Sequence, residues 1–174
     1  GMIQNVGNIA PNSMFVFTGE TSVAYKGLNA GRFWNMDNED LELLKEQLPE
    51  IENISGMVFP GISSKTTRKD KSGDFSYQGT DDIYYNIEHQ NVLYGRIFNK
   101  LDLLEKRKVC LLGHKVYDQL FNKGEDPIGV SVCMGGIYFT VIGVVKPSGN
   151  ISFGGESGMT IYIPTTTAQQ LINR

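Results

Sequence analysis

The sequence predicts an α+β fold in which a β-α-β portion carries an inserted, hairpin-rich small β subdomain. One amphipathic helix between two apolar runs, within the first 60 residues, indicates the β-α-β portion. Two longer apolar runs joined by Gly135-Gly136 indicate a hairpin, because a two-residue turn of this kind needs positive φ at both positions. The 20 glycines and 6 prolines among 174 residues also favour short strands and many turns.

The chain length suits one domain. We expect residues 1–13 to be a disordered leader that includes a tag-derived scar, Gly1 before Met2. Residues 14–174 then form a single domain, in which residues 14–60 and 159–174 make the β-α-β portion and residues 61–158 make the β-rich insert.

The first helix has the clearest boundaries. Asp37 suits the N-cap position, Leu41, Leu44 and Leu48 make an apolar stripe, and Pro49 disfavours helical geometry at the residue before it. The apolar patterns before and after this helix predict strands over 14–18 and 54–59.

The rest of the chain alternates short strands, turns and helices. We predict a solvent-projecting hairpin whose polar tip is residues 70–74, and a long loop over 147–158. The other predicted elements are helices over 81–88, 114–121 and 165–171 and strands over 109–112, 130–134, 137–145 and 159–163.

Charge and hydropathy exclude several classes of function. The net charge of −3, without a large basic face, argues against a nucleic-acid partner. The most apolar stretch, Phe139 to Val145, is far shorter than the roughly 20 residues that span a bilayer. The start of the chain has neither the charged nor the apolar region of a signal peptide.

No candidate motif predicts an enzyme. Residues 124–131 have the glycine spacing of a phosphate-binding loop, but Val130 stands where a lysine must reach the phosphates, so we interpret the segment as a turn into a strand. His89 and His114 have no partner at metal-ligand spacing. Cys110 and Cys133 are interpreted as two buried free thiols, with a disulfide between them as the alternative.

Two acidic clusters are interpreted as helix N-terminal charges that offset the helix dipole. They are Asp37, Glu39, Asp40 and Glu42 in the first and Asp81 and Asp82 in the second. We therefore predict no catalytic residue, no cofactor-binding residue and no metal ligand.

A series of short motifs runs from about Asn38 to the C-terminus. The motifs are Asn38-Glu39-Asp40-Leu41, Leu48-Pro49-Glu50-Ile51-Glu52, Gly95-Arg96-Ile97-Phe98, residues 108–113, Leu120-Phe121, Asp126-Pro127-Ile128-Gly129, residues 139–144, Tyr162-Ile163-Pro164 and Thr166-Thr167-Ala168-Gln169. Each motif is weak alone, and their common order and spacing make the series specific. In this order and spacing they resemble the extracytoplasmic core domain of MacB-like and FtsX-like ABC transporter permeases.

The chain departs from the family pattern at three places. Asn122-Lys123 separates the Leu-Phe pair from Gly124, and Val130 replaces a lysine that commonly follows the Asp-Pro-Ile-Gly turn. Family members usually carry a further strand and helix, so an end at Arg174 suggests a C-terminal cut.

The resemblance implies a porter-like β-α-β portion in a non-catalytic periplasmic domain, inserted between the first two transmembrane helices of a permease. Its implied partners are those helices, a separate cytoplasmic ATPase domain, a second copy in a homodimer and a periplasmic adaptor protein; it implies no cofactor and no nucleic acid. The implied role is to couple ATP hydrolysis to export. The alternatives are a signalling or scaffold domain that recruits a cell-wall hydrolase or senses an antimicrobial peptide, a structural adhesion domain, and a hydrolase with an unrecognised site.

Overall fold

The computed structural model describes residues 13–17, 38–47, 53–58, 63–87, 89–147 and 158–172. Residues 1–12 of the predicted leader, Asp37 and most of the 147–158 loop lie outside these ranges, and Ser13 begins the first strand. The described strands are β1 Ser13–Phe17, β2 Asn53–Val58, β3 Ser63–Arg68, β4 Lys71–Thr80, β5 Gln90–Gly95, β6 Val109–Gly113, β7 Ser131–Met134, β8 Ile137–Pro147 and β9 Thr160–Pro164. The described helices are α1 Asn38–Gln47, α2 Tyr84–Ile87, α3 Lys100–Leu104, α4 His114–Leu120 and α5 Thr165–Ile172.

Six of the strands form a closed ring of hydrogen-bonded neighbours, in the order β4, β3, β7, β8, β6 and β9. The ring closes where β9 pairs with β4, with Tyr77 opposite Ile161 and Gln78 opposite Tyr162. The β4–β9 and β6–β8 pairs are parallel and the other four are antiparallel. The chain is therefore built around a small β-barrel.

The β-α-β unit lies beside this barrel. β1 and β2 are parallel and α1 connects them, as the first 60 residues predict. β2 joins the barrel through two residue pairs, Met57 with Thr80 and Val58 with Gly79. α5 contacts both β2 and β4, so the last helix lies where the unit and the barrel meet.

The barrel interior is the main hydrophobic core. Side chains that alternate along the ring strands point inward and are fully buried. α4 packs against β4, β6 and β8 and adds its own apolar side chains to the same cluster. The members that are 0% exposed are Cys110, Leu112, Val116, Leu120, Val132, Val141, Val144, Ile161 and Ala168.

A second, aromatic cluster lies on the outer face of the ring. Tyr84 and Tyr85 of α2 pack with Tyr162 of β9, at ring-centroid distances of 6.0 and 6.2 Å from it, and with Phe98. α2 is thus held by its packing, because four residues are too few for a stable helix on their own.

Some predicted elements are placed differently in the structure. The first hairpin turns at Lys69-Asp70, with Arg68 paired to Lys71, so most of the predicted 70–74 tip is part of β4. Helix α2 begins at Tyr84 rather than Asp81. The Gly135-Gly136 turn is confirmed, with φ values of 58° and 88°. Neither β5 nor α3 is predicted by the sequence patterns.

None of the helices that the structure describes is long and apolar enough to cross a bilayer.

Gly143 lies on β8, between Gly95 of β5 and Leu111 of β6, and there is little space for a side chain at this position. A Cβ atom there would lie 2.5 Å from the Arg96 carbonyl oxygen and 2.9 Å from Leu111 Cδ2. We expect Gly143→Ala to lower the free energy of unfolding by about 3 kcal/mol, since the clash is with backbone. Urea denaturation measures this loss.

Gly124→Ala is the matched control, because a Cβ atom at that position would have no other atom within 4 Å and only the φ of +80° disfavours alanine. We expect it to cost about 1 to 2 kcal/mol. Equal losses in the two variants would contradict the tight fit at Gly143.

Candidate functional site

The two histidines lie apart from any cluster of metal ligands. His89 is exposed, and His114 is half-buried at the start of α4, with its Nδ1 unpartnered. Burial lowers the pKa of His114, and the charges of Lys146 and Lys115 lower it further. Within the described ranges, no group of three or more His, Cys, Asp or Glu side chains could hold a metal ion.

The two cysteines are free thiols with different surroundings. Cys110 points into the barrel and is fully buried, which raises the pKa of its thiol. Cys133 is only half-buried, so the prediction of two buried thiols is wrong for this residue. The reason is alternation along β7, which places Val132 and Met134 in the core and Cys133 on the other face.

The segment with phosphate-loop glycine spacing forms turns. Gly124 and Gly129 have φ values of 80° and 84°, and the Val130 N–H donates to the Pro127 carbonyl oxygen at 3.2 Å. The Asp126 side chain accepts from the Ile128 N–H at 3.0 Å. The Gly129 N–H donates to Val141 at 2.8 Å, which joins the segment to β8.

An ion pair lies beside α4 at the end of the barrel core. The guanidinium of Arg68 donates to both carboxylate oxygens of Glu125 and lies 4.3 Å from the centre of the Phe121 ring. The Arg68 side chain is only 6% exposed. The hydrogen bonds from Arg68 and from the Asn122 N–H lower the pKa of Glu125 to about 2.

A buried carboxylate joins the β-α-β unit to the barrel. Asp81 accepts from the Ser55 hydroxyl at 2.7 Å and from the Gly56 N–H at 2.8 Å, both on β2. It also accepts from the N–H groups of Ile83 and Tyr84, each at 3.0 Å, at the start of α2. Burial raises the pKa of Asp81, and the hydrogen bonds from Ser55 and Gly56 act against this shift.

A second buried carboxylate organises α3. Asp102 is 0% exposed and accepts from Arg96 at 2.8 Å and from Arg107 at 3.2 Å. Asn99 caps the helix, since its side chain accepts from the Asp102 N–H while its own N–H donates to the Asp102 carboxylate. Burial alone would raise the pKa of Asp102, but the hydrogen bonds from Arg96 and Asn99 outweigh it and the pKa is lowered.

The structure describes only part of the two acidic clusters that the sequence analysis singled out. Asp37 lies outside the described residues, and Glu42 makes an exposed pair with Lys45 at 3.4 Å. Asp81 accepts from backbone N–H groups where α2 begins, but α2 starts at Tyr84 and has no acidic residue in its first turn. The interpretation of Asp81 and Asp82 as first-turn charges is therefore wrong, because the helix begins later than the sequence predicts.

The Arg68–Glu125 and Arg96–Asp102 ion pairs are structural contacts that the sequence analysis did not predict. The first joins residues far apart in the chain and leaves no local signal. The second could have been found, because Asn99 and Asp102 have the spacing of a capping box.

The described polar clusters are therefore anchors that hold elements together. Each carboxylate accepts hydrogen bonds from backbone N–H groups, from arginine or from a serine hydroxyl. Such sets fix the position of a helix or turn.

The Arg68–Glu125 pair predicts an acid-dependent part of the stability. Because the pKa of Glu125 is about 2 in the folded chain and higher when unfolded, its contribution is present above the unfolded value and is lost as the pH falls towards 2. We expect Glu125→Gln to flatten the fall in melting temperature between pH 4.5 and pH 2, where Glu125 titrates. Glu46→Gln, which removes an exposed charge from α1, should leave that slope unchanged. An unaltered slope in Glu125→Gln would contradict the role of the pair.

Comparison with known proteins shows where this architecture occurs. The sequence model of the family described as the MacB-like periplasmic core domain matches residues 1–174. The macrolide export ATP-binding/permease protein MacB of Hyphomonas neptunium is 28% identical over 162 residues, which are 92% of this chain and 24% of that protein. Its namesake in Neisseria meningitidis is 24% identical over 173 residues, which are 98% of this chain and 25% of that protein. The chain thus spans about a quarter of the length of the curated relatives it matches.

Two solved structures share the fold. The periplasmic region of MacB from Actinobacillus actinomycetemcomitans has a TM-score of 0.64 and 21% identity, over 85% of this chain and 66% of that chain. The extracellular domain of the noncanonic ABC-type transporter YknZ, from Gram-positive bacteria, has a TM-score of 0.64 and 23% identity, over 79% of this chain and 66% of that chain.

The solved structures support the α+β fold class, and the family match covers every residue of the sequence. This chain therefore belongs to the MacB-like periplasmic core domain family.

Proposed function

We propose that the chain is the non-catalytic extracytoplasmic module of a MacB-type ABC permease and couples ATP hydrolysis in a cytoplasmic domain to export or to a periplasmic partner. The observation that carries this proposal is the family match over residues 1–174. The relatives are named as ATP-binding and permease proteins, and the chain corresponds to about a quarter of each. ATP binding and membrane passage would then belong to other parts of the full protein.

The build of the barrel supports a mechanical role. A closed ring leaves no free edge among its strands, and the core is filled from one side by α4. Close-packed interiors of this kind transmit displacement with little deformation. The barrel would move as a unit when the membrane helices move.

The predicted division into a β-α-β portion, residues 14–60 and 159–174, and an insert, residues 61–158, stays a prediction. The contacts of Asp81 are evidence for a joint near this division. Asp81 belongs to the insert and accepts hydrogen bonds from Ser55 and Gly56 of β2. β9, assigned to the first portion, is hydrogen-bonded to β4 and β6 of the insert. The two portions would therefore be firmly connected at more than one place.

The proposed partners follow from the same context. They are the transmembrane helices of the same polypeptide, its ATPase domain, a second copy of the permease in a homodimer, and a periplasmic adaptor protein. The names of the relatives make macrolides the first cargo to test.

Loosening the Asp81 joint should uncouple export from ATP hydrolysis. Asp81→Ala removes the acceptor for four buried or partly buried donors. In the full-length protein we expect export of a macrolide to fall about five-fold or more, while the ATPase rate stays within about two-fold. Transport from loaded cells and ATP hydrolysis by the purified protein provide the two measurements.

Asp82→Ala is the matched control, since it makes the same substitution at the neighbouring position, where the side chain is only half-buried. Melting of the Asp81→Ala chain above the assay temperature establishes that the variant is folded. Export that persists at the parental level after deletion of residues 1–174 from the full-length protein would refute the proposed coupling.

A further inference from the structure

A short surface segment, residues 96–108, has a charge opposite to that of the chain. It contains five basic residues and two acidic ones, which gives a net charge of +3, whereas the chain as a whole has −3. The segment includes α3 and the residues on either side of it. We call it the basic segment.

The basic segment exposes two large apolar side chains. Leu101 is 52% exposed and Leu104 is 76% exposed. Their spacing of three residues places them on the same face of α3. Single exposed leucines are common, but two adjacent ones within a basic surface form a small amphipathic patch.

The exposure of these leucines is not the result of a loosely held segment. The Asn99–Asp102 capping box fixes the start of α3, and Asp102 also accepts from Arg96 and Arg107. On α5, the Thr166 hydroxyl donates to the Leu103 carbonyl oxygen, and the Thr167 hydroxyl donates to that of Arg107 at 2.8 Å. The fold therefore presents Leu101 and Leu104 to solvent on a well-anchored support.

The acidic side chains of the segment are already engaged. Asp102 is fully buried between two arginines, and Glu105 accepts from Arg107 at 3.0 Å. Lys100, Lys106 and Lys108 are exposed, and each lies within four residues of Leu101 or Leu104 in the sequence. α5, the helix that packs against α3, carries no charged residue between Thr165 and Ile172.

We propose that the basic segment docks on an anionic phospholipid surface. Leu101 and Leu104 enter the headgroup region, and Lys100, Lys106 and Lys108 bind lipid phosphates. This inference rests on the proposed function, because a permease domain is tethered beside a bilayer and a weak contact gains from the high effective concentration.

The size of the patch favours lipid over an acidic protein as the occupant. A stable protein interface buries about 800 Å² on each partner, around an apolar core. α3 has five residues and is about 7.5 Å long, and it contributes two leucines. Lipid headgroups need no matching shape, so a small patch of leucine and lysine suffices for a weak, salt-dependent contact.

Co-sedimentation of the 174-residue chain with vesicles tests the proposal. We expect binding to phosphatidylcholine vesicles that contain about a quarter phosphatidylglycerol, with little binding to phosphatidylcholine alone and loss of binding at high salt. Leu104→Ser should lower the partition coefficient about ten-fold. Lys106→Glu should lower it about ten-fold as well, by reversing a charge beside the lipid.

Two matched controls carry the same changes elsewhere. Leu43→Ser alters a leucine on α1 that is 54% exposed, and Lys123→Glu reverses an exposed charge after α4. Both should bind vesicles like the parent chain. All four side chains are exposed, so all four variants should keep the parental melting temperature.

Several results would overturn the proposal. These are absence of binding to the anionic vesicles, equal binding to vesicles without anionic lipid, and parental binding by Leu104→Ser and Lys106→Glu. Binding to immobilised polyglutamate without binding to vesicles would point to an acidic protein instead, and a dimer that Leu104→Ser dissociates would point to a second copy. The vesicle assay involves neither ATP nor cargo. A negative vesicle result therefore does not bear on the export test of Asp81→Ala, and a negative export result does not change the interpretation of vesicle binding.

Discussion

The parallel pairing of β4 with β9 is the contact on which the rest of the structure depends. It joins residues about 84 positions apart, from Ser76 with Thr160 to Thr80 with Pro164. Without it the ring would be an open sheet with two exposed edges. With it, each ring strand has a neighbour on both sides, and alternate side chains are directed into one enclosed core.

Because the barrel is closed, its core is completed by side chains from α4. A barrel of six strands has a narrow interior, and side chains from α4 complete its packing. Arg68, on β3, lies next to the last residue of α4 and is nearly buried. Such burial is unfavourable for an unpaired guanidinium. The bidentate contact with Glu125, the hydrogen bond to the Leu120 carbonyl oxygen and the face of Phe121 offset part of this cost, while the Arg68 Nε has no hydrogen-bond partner.

Local patterns predicted much of the fold. The helix α4 and the β7–β8 hairpin have strong signals, since Val116 and Leu120 are spaced for one helical face and Gly135-Gly136 suits a tight turn. β5 lacks such a signal because most of its side chains are exposed. α3 has one local signal, the capping-box spacing of Asn99 and Asp102, whereas the hydrogen bonds that join it to α5 link distant residues that no short window of sequence reveals. Barrel closure also pairs distant segments. The predicted hairpin tip differs from the structure because Ser72, Gly73 and Asp74 have turn-like composition, yet each of them pairs with a residue of β3 and so belongs to β4.

The polar clusters were predictable only where they obey a local rule. Asp81 and the Asn99–Asp102 pair follow capping patterns, whereas Arg68 with Glu125 depends on the folded chain. The family, by contrast, could be recognised from the sequence, because its signal is a series of turn and strand motifs spread along the chain. Several of these motifs have structural roles here: Gly95 lies where a Cβ would meet the Ile142 carbonyl oxygen, and Gly129 donates its N–H to Val141.

The distribution of hydrogen bonds indicates where this molecule can bend. The barrel strands are linked around a complete circuit, and α3 is fixed to it through α5 and two arginines. Among the described residues, β2 is linked to β4 through two residue pairs, and the Asp81 carboxylate adds four hydrogen bonds, two of them to β2. A force applied between the β-α-β unit and the barrel would act on this joint. The carboxylate is buried and cannot exchange its donors for water there, so the joint resists small displacements and gives way only when several hydrogen bonds are lost together.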